Sequence, residues 1–131
     1  MIYLDANVVI RLIEGDAATR APLEARLLPL RGTGRFILTS RLTRLECRVK
    51  PLRAGDTILL GLFDSFFASA EMELADLTAA VIEKATDLRA TFNFKTPDSL
   101  HLASAIIGGA SSFLTGDRNF ARCTEIPVEL L

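Results

Sequence analysis

Short apolar runs alternate with longer stretches of helical periodicity, and this alternation restricts what the chain can fold into. Ile2-Tyr3-Leu4, Phe36-Ile37-Leu38-Thr39, Glu71 to Ala75 and Ser112-Phe113-Leu114-Thr115 read as strands, and Ile126-Pro127-Val128 reads as a last edge strand, where proline is tolerated. Between them, apolar residues recur at helical spacing over 6–14, 17–30, 40–49, 54–69 and 78–92, and from Thr96 to Gly108-Gly109. Gly15 stops the first of these helices and Pro51 closes the third. Thr96 is the expected N-cap of the sixth, with Pro97 at its first helical position, and Gly108-Gly109 suits a left-handed C-terminal cap. Strands joined through helices require a parallel sheet covered on both faces. The expected fold class is α/β, a three-layer α/β/α sandwich with a mostly parallel central sheet.

No repeat, low-complexity segment or long linker divides the 131 residues, so 1–131 is read as one domain. Half the residues are hydrophobic and 24% are charged, a globular composition that argues against disorder. No apolar run approaches the ~20 residues of a membrane span, and the N-terminus has no secretory-signal pattern. Cys47 and Cys123 stand far apart in no paired-thiol motif, which fits a reduced, cytoplasmic setting. With a net charge of −1, the chain has no global attraction for nucleic acid. An anionic partner must be held by a local basic patch or by bound cations.

In open α/β sheets, ligands bind beyond the carboxyl ends of the strands. Asp5 and Asn7 follow the first strand, Ser40 follows the second, and Glu46 lies six residues further along. Asp98 sits in the first turn of the sixth helix, while Thr115, Asp117 and Asn119 close and follow the Ser112 strand. Each acid has an ordinary structural explanation. Asp5 and Asp117 could cap helices, Asp98 suits a helix dipole, and Glu46 could close a capping box with Thr43. On a helical wheel, however, Glu46 flanks an apolar stripe of Leu42, Leu45 and Val49, nearly opposite Arg41, Arg44 and Arg48. Carboxylates converging in one cleft raise each other's pKa, and a divalent cation relieves that cost. All-oxygen ligands select a hard ion, Mg2+ or Mn2+, and the chemistry that follows is metal-assisted displacement at phosphorus.

Asp5-Ala6-Asn7, Thr39-Ser40 leading to Glu46, Thr96-Pro97-Asp98, and Thr115-Gly116-Asp117-Arg118-Asn119-Phe120 together resemble the PIN-domain family. More narrowly they resemble VapC, the toxin ribonuclease of VapBC toxin–antitoxin modules. The resemblance implies that Asp5, Glu46, Asp98 and Asp117 form an acidic metal site, with Asn7, Ser40, Thr115 and Asn119 supporting the acids or orienting water. It also implies RNA cleavage by in-line attack of metal-activated water, leaving a 5′-phosphate and a 3′-hydroxyl. A cognate antitoxin and a homodimer are the partners it implies.

Arg41, Arg44 and Arg48 belong to a basic segment that suits RNA phosphates, although a solvated face or an acidic antitoxin would suit it as well. Leu59, Leu60, Leu62, Phe63, Phe66 and Phe67 make their helix apolar on more than one side, enough for core and for a second chain. His101, the one histidine, is expected to pack or to lie incidentally on the surface, because a carboxylate–metal mechanism needs no imidazole base. Two rival functions remain open. One is a magnesium-dependent phosphohydrolase or phosphotransferase with Asp5 as nucleophile, which gives Glu46 no task. The other is a PIN-like binding module without catalysis.

Overall fold

A computed structural model describes residues 1–131. Five strands form one sheet: β1 (Ile2–Leu4), β2 (Ile37–Ser40), β3 (Met72–Ala75), β4 (Ser112–Thr115) and β5 (Val128–Leu130). Their order is β3-β2-β1-β4-β5 and every pairing is parallel. Side chains alternate across the sheet, so neighbouring residues enter different cores. Ile2, Leu4, Ile37 and Leu114 pack with Val8, Leu23, Phe63 and Phe67 on one face. Tyr3, Leu38 and Phe113 pack with Leu88, Leu102 and Phe120 on the other. The three layers and the parallel sheet expected from the sequence are both present.

Six helices cover the sheet: α1 (Ala6–Glu14), α2 (Ala17–Leu27), α3 (Arg41–Ala54), α4 (Thr57–Phe67), α5 (Ala79–Phe92) and α6 (Thr96–Ile107). Short 3₁₀ turns occupy Leu28–Leu30 and Arg118–Arg122. Four local expectations are corrected. The second helix stops at Leu27 and tightens into a 3₁₀ turn, because Pro29 has no N–H to continue the ladder. Pro51 does not close α3; it is buried inside the helix, which runs on to Gly55. Gly55 takes φ 64°, the left-handed conformation that frees its N–H to satisfy the final carbonyls. At the start of α6, Thr96 is the first helical residue rather than the cap, and its hydroxyl accepts from Arg89 Nη1.

The fourth correction concerns α3. Its buried residues are Thr43, Cys47 and Pro51, spaced four apart. Leu45, about 200° around the wheel from Thr43, is 58% exposed, and Val49 and Leu52 are exposed with it. Of the expected stripe, Leu45 and Val49 therefore face outward and Leu42 is half-buried. Arg41, Arg44 and Arg48 do not oppose the stripe but line the same shallow groove as Leu45, Val49 and Leu52. Ser40, not Thr43, caps the helix by accepting from the Thr43 N–H, so no Thr43–Glu46 capping box forms.

β1 connects to β2 on one side, whereas the chain reaches β4 on the other side of β1. The β1/β4 boundary is thus the point where strand order reverses, and a crevice opens there beyond the carboxyl ends. Asp5 leaves β1 and Gly116-Asp117 leave β4 at that crevice.

Candidate active site

An open cleft of about 300 Å³ lies at this boundary, lined by Asp5, Ala6, Asn7, Ile10, Glu46, Asp98, His101, Asp117 and Phe120. The four acids singled out from the sequence therefore share one cleft, although they come from four separate parts of the chain. Asp5 is the best buried, at 4% exposure. Its Oδ1 accepts the Ala6 N–H at 2.8 Å, while Oδ2 accepts from Asn7 Nδ2 and Thr115 Oγ1, both at 2.7 Å. Burial pushes the Asp5 carboxyl above the usual range; the field of His101 and these hydrogen bonds pull the other way, and the Glu46 charge adds to the rise.

Thr115 and Asn7 tie the two loops together. Thr115 Oγ1 also accepts the Asp117 N–H at 3.0 Å, and Asn7 Oδ1 accepts the Gly116 N–H at 2.9 Å. Asp98 lies in the first turn of α6, half-buried. Its carboxyl is also raised, by burial first, then by the neighbouring charges of Asp117 and Asp5. Asp117 is exposed at the rim, and its Oδ1 accepts the Asn119 N–H. Asn119 does not line the cleft: its side-chain oxygen accepts from Arg122 Nε at 2.9 Å. Ser40 lies below the cleft, fully buried.

Glu46 reaches the cleft from α3 with a side chain that is 36% exposed, and its Oε1 accepts from His101 Nε2 at 2.7 Å. His101 itself is buried, at 2% exposure. Of the two expectations for it, packing holds and an incidental surface place does not. The signal available in the sequence was position: His101 lies one turn after Asp98, on the same side of α6.

The donors toward the cleft are carboxylate oxygens, with the one imidazole Nε2 engaged by Glu46. That set suits Mg2+ or Mn2+ rather than zinc, which favours nitrogen and sulfur ligands. No three of these groups close into a ready coordination shell. A magnesium-type ion takes one or two carboxylates directly and keeps several of its waters, so an open ring of acids fits it. Raised carboxyl groups have a further consequence: a cation that stabilises their ionised forms recovers part of the cost of their burial.

The family model of the PIN domain matches residues 2–126. The chain belongs to the PIN-domain family. Among solved structures, this PIN domain is similar to the VapBC2 complex of Rickettsia felis bound to promoter DNA, at 19% identity and TM-score 0.76 over 98% of both chains. It is similar to a toxin–antitoxin complex from Klebsiella pneumoniae at 20% identity and TM-score 0.73, over 96% of this chain and 95% of that one. It is also similar to Mycobacterium tuberculosis VapC20, described as a sarcin–ricin-loop-cleaving toxin, at 18% identity and TM-score 0.70, covering 92% and 93%. None of the curated proteins matches the chain in sequence. No helix is long and apolar enough to cross a membrane.

The basic residues of α3 stand apart from the cleft lining. Arg41 pairs with Asp76, and Arg44 and Arg48 both approach Asp64, at 3.8 and 2.8 Å. Arg11 differs from them. It forms no ion pair, and its guanidinium lies over Gly116 so closely that a Cβ there would stand 2.7 Å from Nη2. Asn7, one turn earlier on α1, faces the cleft.

Proposed function

We propose that this PIN domain is a divalent-metal-dependent endoribonuclease and the toxin of a toxin–antitoxin pair. The observation that carries the reading is the convergence of Asp5, Glu46, Asp98 and Asp117 at the strand-order reversal of a parallel sheet. The VapBC complexes and the loop-cleaving VapC toxin among its structural neighbours support the toxin reading. Asp5, Asp98 and Asp117 would hold the ion directly or through water, with Glu46 completing the set. When bound, Mg2+ or Mn2+ supplies a nucleophilic water at neutral pH and neutralises charge on the phosphate.

The protein's own part is placement. Thr115, Asn7 and the Ala6 N–H immobilise the Asp5 carboxylate, so no reorganisation is needed when the phosphate arrives. The dipole of α6 favours negative charge at Asp98, opposing the rise that burial causes. Arg41, Arg44 and Arg48 are assigned to RNA phosphates, which would exchange with Asp64 and Asp76. Ile58 and Leu62, exposed on α4, and Leu45 and Leu52 on α3 supply apolar surface for a second copy and for the antitoxin.

Cleavage of total cellular RNA by wild type and Asp98→Asn, with Mn2+ or Mg2+ and with chelator, tests the reading. Discrete wild-type fragments that disappear with the substitution and with chelator are expected. A mutant that cuts as well as wild type overturns the assignment. Metal binding by wild type without cutting moves the phosphoester and binding-module readings ahead.

A further inference from the structure

Beneath the cleft runs a chain of buried polar side chains that the proposed reaction does not itself use. His101 Nδ1 lies 2.8 Å from the Tyr3 hydroxyl, and that hydroxyl lies 3.0 Å from Ser40 Oγ. Ser40 Oγ in turn accepts the Thr43 N–H at 3.3 Å. Tyr3, Ser40, Thr43 and His101 are all buried, and they come from β1, the end of β2, α3 and α6. The Tyr3 ring is itself held, stacked on Phe113 with centroids 5.1 Å apart. Burying polar groups is costly unless every one is partnered, so this chain is a demanding way to fill a core. Its outward end is a single bond, from His101 Nε2 to Glu46.

We propose that His101 is a positioning residue that holds Glu46 over the acidic cleft, and that Tyr3 and Ser40 lock the imidazole in the orientation that lets it do so. The inference rests on the metal-site reading above. An ionised carboxylate only accepts hydrogen bonds, so Nε2 carries a hydrogen and donates it to Glu46 Oε1. The same nitrogen lies 3.9 Å from Asp5 Oδ1, which sets Glu46 beside the buried acid. A flip of the ring would present carbon to both Tyr3 and Glu46. The Tyr3 hydroxyl can serve Nδ1 as donor or acceptor, and in either role it opposes that flip. Glu46 gains most from this support. It stands on an exposed part of α3, and no other hydrogen bond holds its carboxylate. Outer partners of this kind typically change metal affinity by about 10–100-fold when removed.

Two nearly isosteric substitutions separate positioning from packing. Glutamine places an amide N–H near the position of Nε2, whereas asparagine places its amide near Nδ1. The readouts are Mn2+ affinity, from the electron-paramagnetic-resonance signal of free Mn2+, and the split of cleavage between kcat and KM, with melting temperature in chelator as the fold control. His101→Gln should retain most of the Mn2+ affinity. His101→Asn should lose about tenfold or more, with kcat falling and KM for RNA little changed. Tyr3→Phe, which keeps the stacked ring, should lie between them. Equal Mn2+ affinity in folded His101→Gln and His101→Asn, with normal wild-type behaviour, overturns this inference alone. A wild type that neither takes up Mn2+ nor cuts RNA overturns the metal-site reading and this inference with it.

Discussion

Thr115→Val removes one hydroxyl and almost no volume, at a fully buried point where three parts of the site meet. The hydroxyl donates to Asp5 Oδ2 at 2.7 Å and accepts from the Asp117 N–H at 3.0 Å and Asn7 Nδ2 at 3.3 Å. A hydrogen bond to a charged group contributes about 1.5–3 kcal/mol, and a stranded backbone N–H costs about 1–3 kcal/mol more. The added methyl returns about 0.8 kcal/mol. The net loss is roughly 2–5 kcal/mol, a fall in Tm of roughly 6–20 °C for a chain of this size. The pH dependence carries the sharper test. The bond favours ionised Asp5, whose carboxyl burial already pushes up. Without the bond that carboxyl holds its proton to still higher pH. The destabilisation should therefore be fully present at neutral pH and shrink as pH falls and Asp5 takes up its proton. Mn2+ uptake should shift to higher pH. Thermal melts by circular dichroism in chelator, at pH 5 and pH 7.5, measure the first effect. An unchanged Tm, or an equal loss at both pH values, would refute the reasoning.

Asp98→Asn should raise the Tm of the metal-free protein at pH 7.5. A carboxyl raised by burial and by Asp117 and Asp5 costs stability once ionised, and that gain should vanish below the ordinary carboxylate range. In saturating Mn2+ the order should reverse, because the variant gains less from the cation; a variant less stable than wild type in chelator would count against the crowding of these acids. Arg11 has no acidic partner and its guanidinium lies over Gly116, so we propose that it meets one RNA phosphate. Arg11→Gln, on the Asp98→Asn background to prevent cutting, should then lower the salt slope of RNA binding by about 0.7 for one single-strand phosphate contact. Gly116→Ala, which displaces the Arg11 guanidinium, should mimic it. Charge reversal at Arg44 and Arg48 should weaken RNA binding across sequences, and unchanged binding with unchanged salt dependence removes both from the RNA path.

The sheet and most of the helices were legible because the central strands β1, β2 and β4 are short, largely apolar runs whose alternate residues enter opposite cores. Tyr3 beside Ile2 and Leu4 is the compact example. The edge strand β5 lies at Val128–Leu130 rather than at Ile126–Val128. The cleft was legible because strand ends are fixed points in such a sheet, so Asp5 and Asp117 had to be neighbours once β1 and β4 paired. What failed was the reading of α3. A wheel assigns the core face to the larger apolar residues, but this helix packs against neighbours on small Thr43, Cys47 and Pro51, which leaves Leu45 and Val49 outside. The contacts of His101 were out of reach for a related reason. Its partner Tyr3 is 98 positions away, and that hydroxyl reaches it only through the tertiary fold.

The account stands or falls on whether the four carboxylates hold a divalent cation together. Mn2+ binding to the metal-free protein at pH 7.5, compared among wild type, Asp5→Asn and Asp98→Asn, addresses this without reference to any substrate. The account predicts saturable wild-type binding that weakens by about tenfold or more when either acid loses its charge. Equal Mn2+ affinity in all three proteins would contradict it.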